Sequence, residues 1–315
     1  MPKKTRCLSS RENRARKKEI VRVIDELRQK YPLKDLLELA KMAKSTFFYW
    51  LGVIHRQDRN AGLKAKIREL FEAKGKANEK YGYRRICLEL RKTEEFSNVN
   101  HKKVQRLMKE LGLKGYISRN GYRKYSSYRG TVGKIADNVV NRHFNAGRPN
   151  TLWATDITEF HLCAGDVKVY LSPIKDFCDG SIVSYSCSTT PDMRLVMGML
   201  EKALDRNMCL AGLVLHSDQG WQYQHRFWRE RLDSRCITQS MSRKGNCLDN
   251  SKMETFFSTL KKAIWFGHEK DYRNPEQLIA AIDDYIKWYN SERIQVKLKG
   301  LTPLQFRKQA FKMAV

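Results

Sequence analysis

The chain has 315 residues, 41% of them hydrophobic and 30% charged, and its 61 Lys and Arg against 34 Asp and Glu give a formal net charge of +27. No apolar run approaches the roughly 18 residues that span a bilayer and the basic N-terminus lacks an apolar signal core, so a soluble cytoplasmic chain is expected. Residues 1–150 carry 38 basic and 15 acidic side chains while residues 151–315 carry 23 and 19, and so lopsided a field attracts a polyanion, nucleic acid above all.

The first predicted domain covers residues 1–60. Residues 9–30 form a charged helical pattern with Ser9 or Ser10 as its cap, Ile20, Val23, Ile24 and Leu27 on one face, and Pro32 as its stop. Two short amphipathic helices follow, broken at Ala43–Ser45, with Ser45 capping the second. They carry Leu36, Leu37 and Leu39, then Phe47, Phe48, Trp50 and Leu51. This is a helix-turn-helix pattern whose aromatic set is read as core.

Residues 61–115 repeat the theme. A helix from Leu63 to Lys74 is followed by Tyr81-Gly82-Tyr83-Arg84-Arg85-Ile86, which opens a helix to Arg91. A polar turn at Ser97–Asn100 leads into His101–Leu111, capped by Asn100 and stopped by Gly112. Lys102, Lys103, Arg106 and Lys109 share a face suited to a phosphate backbone, against the alternative of a plain solvated face. Arg84 and Arg85 join the candidate DNA contacts.

A basic, Tyr-rich linker is expected over residues 116–149. Between residues 114 and 136 there is no acidic side chain, and Lys and Arg alternate with Tyr116, Tyr122, Tyr125 and Tyr128. Such interleaving suits backbone neutralisation and stacking on exposed bases. Pro149-Asn150 marks the boundary.

From residue 150 to 315 the pattern changes to strands. Leu152–Leu162, Lys168–Ile174 and Ser181–Ser188 read as strands, with a turn at Asp179-Gly180. A helix over Arg194–Arg206, a strand closing on Asp218, a helix near Gln224–Leu232, a strand near Cys236–Gln239 and a helix bearing Glu254 follow. That order predicts an α/β domain, a mixed sheet flanked by helices and preceded by all-α helix-turn-helix regions. The eight cysteines contain no Cys-x-x-Cys pair. Neither a structural zinc site nor a disulfide framework is expected, and the thiols are read as reduced and mostly buried.

Three carboxylates stand out. Asp156 lies in the run Trp153-Ala154-Thr155-Asp156-Ile157-Thr158, Asp218 ends the apolar run from Gly212, and Glu254 opens a helix with Asp249 or Asn250 as its cap. Sixty-one residues separate the first pair and 35 the second. Carboxylates on three elements can converge at one end of a sheet and hold two Mg²⁺ ions, which take oxygen ligands and keep positions open for phosphate. The bland alternative is a cap, a turn residue and a solvated helix face. His216-Ser217-Asp218 is no serine-hydrolase triad, because alternate residues of a strand face opposite ways.

The element order and the acids resemble the ribonuclease-H-like core of retroviral integrases and transposases, and most closely the bacterial insertion-sequence transposases made in two reading frames. The carriers are Tyr81-Gly82-Tyr83-Arg84-Arg85, Trp153–Thr158, His216-Ser217-Asp218-Gln219-Gly220-Trp221-Gln222-Tyr223, Ser240–Asn246, Asp249-Asn250, Glu254, Lys261, and Tyr289-Asn290 to Thr302-Pro303. The resemblance implies that Asp156, Asp218 and Glu254 are catalytic and bind two Mg²⁺ ions, with Mn²⁺ able to substitute. It places Lys261 near the reacting DNA end and makes Arg243 and Lys244 phosphate contacts. It also implies 3′-end cleavage and strand transfer, terminal-repeat and target DNA as partners, a homo-oligomeric synaptic complex, an upstream-frame product as a further partner, and a nucleoid-associated location. Gln295 stands where many relatives have His, and the cysteine pattern does not support the N-terminal zinc module that retroviral integrases carry. A catalytically silent DNA-binding regulator and a purely hydrolytic nuclease are the alternatives.

Overall fold

The computed structural model describes residues 5–56, 58–76, 79–115, 133–163, 167–206 and 210–312, without the side chains of residues 5–15 and 247. Residues 116–132, where most of the Tyr-rich linker is expected, lie outside them. The chain divides into two units, Met1–Leu63 and Lys64–Val315.

In the first unit, helices α1 (Thr5–Leu27), α2 (Leu33–Leu39) and α3 (Lys44–His55) bury Val21, Ile24, Leu37 and Phe47 against Ile20, Leu36, Trp50 and Leu51. The buried stripe of α1 is Ile20–Val21–Ile24, and Val23 is exposed, contrary to the expected face. Neither expected cap holds: α1 runs through Ser9 and Ser10, and α3 starts at Lys44 with Ala43 in the cap position and no side-chain bond.

The division falls within α4 (Ala61–Ala73), and the second unit continues with the short antiparallel pair β1 (Gly75–Lys76) and β2 (Glu79–Lys80), then α5 (Tyr83–Leu90) and α6 (His101–Glu110). Ile86, Cys87 and Leu90 of α5 and Val104, Leu107 and Met108 of α6 are buried. Asn100 caps α6 as expected, its side chain accepting from the Lys102 N–H at 2.8 Å. Gly112, at φ +71°, follows the helix in the left-handed conformation that glycine tolerates best.

Then come β3 (Leu152–Thr155), β4 (Thr158–His161), β5 (Lys168–Asp176), β6 (Ile182–Ser188), α7 (Met193–Asp205), β7 (Val214–Ser217), α8 (Trp221–Gln224), α9 (Arg226–Asp233) and β8 (Thr238–Met241). Helices α10 (Ser251–Ile264), α11 (Pro275–Ser291) and α12 (Pro303–Lys312) complete it. The sheet runs β6-β5-β3-β7-β8, with β5 antiparallel to β3, β4 and β6, and with β3, β7 and β8 parallel. That is the ribonuclease-H-like arrangement. The expected strand Leu152–Leu162 is two strands in one register against β5, Thr155 facing Ile174 and Thr158 facing Leu171, interrupted at Asp156-Ile157.

One face of the sheet buries Trp153, Ile174 and Leu215 against Val196, Met199 and Leu200 of α7. On the other, Phe160 of β4 meets Trp265, just past α10, edge to face at 5.4 Å. The α12 residue Arg307 reaches back to Asp176 and Asp179, at 3.3 and 3.0 Å, and bonds Ser181 and Asn150 as well. Of the described cysteines, Cys87 and Cys178 are buried but Cys163 and Cys236 are exposed, so the expectation of mostly buried thiols holds only in part.

Candidate active site

Strand register brings the two aspartates together. Ala154 of β3 faces His216 of β7 in a parallel pair. Two residues further along each strand stand Asp156 and Asp218, each just beyond its strand end. Neighbouring strands lie about 4.8 Å apart, so the acids emerge side by side. Period-two alternation puts Asp156 on the face of Phe160, the one that meets the α10 segment.

The loop after β7 is held tightly. Asp218 Oδ1 accepts the Gly220 N–H at 2.9 Å, and a Cβ at Gly220 would come within 3.0 Å of that oxygen. Tyr223 lies buried below, its ring edge to face with Trp228 and its hydroxyl 3.4 Å from Thr155 Oγ1. His216 is fully buried between the hydroxyls of Ser240 and Ser242, at 2.9 and 3.1 Å, which ties β7 to β8 and the loop beyond it. Burial pushes its imidazole below the usual range.

Glu254 is in the first turn of α10. The Asn250 amide, which donates to Thr155 O at 3.4 Å, links that end of the helix to β3. Asn250 Oδ1 is buried with no hydrogen-bond partner. Asn250 stands at the N-cap position of α10, as expected, but its side chain makes no capping hydrogen bond. Asp249 is instead buried beneath two arginines, accepting from Arg243 Nε and Nη2 at 2.9 Å each, Arg142 Nε at 2.8 Å and Asn138 Nδ2 at 3.1 Å. Arg243 and Arg142 together hold it well below the ordinary carboxylate range, against the effect of burial.

The three acids share the opposite electrostatics. Burial, then the Asp218 charge and more weakly Glu254, push Asp156 well up, against the opposing Ile157 N–H and Lys261. Burial also raises Asp218 and Glu254. Lys261, two turns along α10 from Glu254, lies half-buried with its ammonium 5.1 Å from the Phe160 ring centre. Burial lowers its pKa, opposed by Glu159 and Asp156. Among the described residues no group of three or more His, Cys, Asp or Glu is already drawn tightly enough to hold an ion. The donor chemistry nevertheless fits one. Carboxylates crowded at a strand end, with raised proton affinity and one lysine nearby, form an oxygen-rich set whose repulsion a hard divalent cation would relieve.

The other predicted contacts separate into two groups. Lys102, Lys103 and Arg106 on α6, Arg84 on α5 and Lys244 in the loop after β8 are exposed. Arg85 and Arg243 have carboxylate partners, Glu79 at 2.7 Å and Asp249 at 2.9 Å. A cleft of about 350 Å³ lies elsewhere, lined by Tyr185, Lys202, Arg206 and Asp283. Sequence reasoning gave Asn250 no role beyond a cap and a place in the resemblance, and missed Asn138 and Arg142. The Asp249-Asn250 pair before the acidic helix was the available signal, while the other two gave none.

Family models described as an integrase core domain match residues 146–247 and residues 254–311, and one described as an HTH-like domain matches residues 57–121. Transposase InsK of insertion sequence element IS150 from Escherichia coli K12 is 45% identical over 292 residues, 92% of this chain and 99% of that protein. A transposase-like protein of Haemophilus influenzae is 48% identical over 221 residues, 70% of this chain and 98% of its own length. Among solved structures, the HTLV-2 integrase catalytic core domain in complex with magnesium aligns at TM-score 0.42 and 18% identity, covering 52% of this chain and 99% of that one.

Proposed function

The chain belongs to the insertion-sequence transposases that carry an integrase core domain, and from that premise we propose that it cleaves the 3′ ends of an insertion element and joins them to target DNA at Asp156, Asp218 and Glu254. The observation that carries this reading is the shared register of β3 and β7, which delivers two aspartates to adjacent strand ends on the face where α10 carries Glu254 and Lys261.

In the first step a water oxygen bonds to phosphorus, the P–O3′ bond breaks, and the departing O3′ takes up a proton. In the second step that 3′-hydroxyl oxygen bonds to a target phosphorus, its proton is lost, and the target O3′ leaves. Asp156, Asp218 and Glu254 would hold two Mg²⁺ ions, or Mn²⁺ in their place, which would supply Lewis-acid activation of the attacking oxygen and stabilisation of the leaving one. The chain provides no covalent nucleophile; its contribution is alignment of the two oxygens about the phosphorus. Lys261 stands beside the acids with its ammonium over the Phe160 ring, suited to a phosphate next to the reacting bond. The exposed cations of α5 and α6, together with Lys244, are suited to backbone phosphates further away. The partners in this reading are element ends, target DNA and further copies of the chain in a synaptic complex, with an upstream-frame product as an additional one.

The test is nicking and joining of DNA carrying the element's terminal repeats. Wild type should nick and join in Mg²⁺ or Mn²⁺ but not in EDTA, and Asp156→Asn should bind the same DNA without nicking it. Binding with no nicking by either protein would point to a regulator, and cleaved ends without joined product to a hydrolytic nuclease.

A further inference from the structure

The interruption between β3 and β4 falls at Asp156-Ile157, and the hydrogen-bond phase of the strand pair explains its position. Phe177 N donates to Leu152 O at 2.9 Å, and Leu162 N donates to Val167 O at 2.9 Å. Residues facing each other across an antiparallel pair alternate between those that exchange main-chain hydrogen bonds and those that do not. Counting in twos from Leu152 and Phe177 along the observed register, the exchanging pairs are Ala154 with Lys175, Asp156 with residue 173, Thr158 with Leu171 and Phe160 with Val169. The count ends on Leu162 with Val167, where the second bond is found.

Residue 173 is a buried proline. Its nitrogen faces the Asp156 carbonyl and carries no hydrogen, so the ladder lacks a bond at the first acid. On its other side Pro173 faces Tyr185 of β6. Main-chain groups turned toward β3 and β4 do not serve β6, so that ladder loses nothing; the bond from Asp176 N to Ser181 O fits the same phase. Proline inside a sheet is otherwise confined to edges and bulges; β5 is an interior strand, and its pairing with β6 shifts register between Ile174 and Lys175, next to the proline. The next N–H along, that of Ile157, is taken by the Asp156 carboxylate itself at 2.8 Å.

We infer that Pro173 is a positioning residue for Asp156: by withholding the N–H that would stitch β5 to the Asp156 carbonyl, it keeps the strand open where the carboxylate must turn toward Asp218 and Glu254. The functional part of this inference rests on the proposed metal-dependent reaction. The structural part, a missing stitch, does not.

The test pairs two replacements in the full chain. Pro173→Ala restores the N–H. Lactic acid introduced at position 173 by nonsense suppression keeps the alanine methyl but makes the linkage an ester with no N–H. Both should melt close to wild type, because the alanine protein loses a rigid ring but gains a hydrogen bond. In the alanine protein the new amide should exchange slowly with solvent deuterium. Its affinity for Mn²⁺ by calorimetry should fall about tenfold to a hundredfold, with nicking reduced in step and DNA binding in EDTA unchanged. The ester should restore Mn²⁺ affinity and nicking. A rapidly exchanging amide at 173, wild-type Mn²⁺ affinity in the alanine protein, or an ester as impaired as the alanine would each overturn the inference. Wild type that binds Mn²⁺ but never nicks would defeat the proposed reaction instead, leaving amide exchange and calorimetry to decide the role of Pro173.

Discussion

Asp156 shows what a poised site costs the fold that carries it. An unfolded Asp releases its proton near pH ~4, whereas burial and the neighbouring Asp218 and Glu254 hold the native Asp156 well above that. Between the two values the native state binds more protons than the unfolded one, so stability falls as pH rises through the window. It is regained on acidification until the unfolded carboxyl also protonates. Asp156→Asn should therefore raise the melting temperature of the metal-free protein at neutral pH, by roughly 2–4 °C per kcal/mol relieved, and flatten its pH dependence. Calorimetry in EDTA across pH 5–8 checks this; a variant that melts at or below wild type throughout would contradict it. The acid itself was legible because a carboxylate ending an apolar run is a local pattern. The proline opposite it was not, since its importance appears only when β5 is laid against β3 and β4 in register.

At the scale of elements, the Tyr81–Arg85 motif ties α5 and the β1–β2 pair to α11 and the segment that follows it. Glu79 of β2 accepts from Arg85 and Arg293 at 2.7 Å each and from the Tyr285 hydroxyl at 2.8 Å, and Tyr81 bonds the main chain at residues 292 and 294. Burial alone would push Glu79 up, but Arg293 and then Arg85 outweigh it and hold the carboxylate below its usual range. Its contribution to stability is thus present at neutral pH and lost as pH falls through the native value. Glu79→Ala would strand a buried guanidinium and should lower stability by about 3–5 kcal/mol, while Arg84→Ala, at an exposed position, should leave the urea midpoint unchanged. Equal midpoints for the two variants would sink this account. Local signals gave the Asn100 cap and the Gly112 stop correctly. They gave no access to the distant partners of Glu79 and Asp249, which are Arg293 and Arg142, 214 and 107 positions away in the chain respectively.

For the whole molecule, charge was the most legible property. The basic excess of residues 1–150 includes the exposed α6 cations, while residues 151–315 are nearly balanced, which in the proposed reaction would divide holding a polyanion from acting on it. Each phosphate neutralised releases condensed counterions, so binding should weaken steeply with salt. Replacing Lys102, Lys103 and Arg106 one at a time by Ala should reduce the log–log salt slope by about 0.9 per lost contact on duplex DNA, with cleavage of saturated complexes preserved. Unchanged slopes would make that helix face a bystander. No helix among the described residues is long and apolar enough to cross a membrane.

The reach of Arg307 from α12 to Asp176 and Asp179 has a consequence for synthesis. Every strand and all three acids leave the ribosome before the residue that neutralises those two carboxylates. A polypeptide stopped short of α12 would keep two buried like charges with no counterpart, an invitation to proteolysis. Such a copy, damaged late in its coding sequence, would be cleared rather than accumulate.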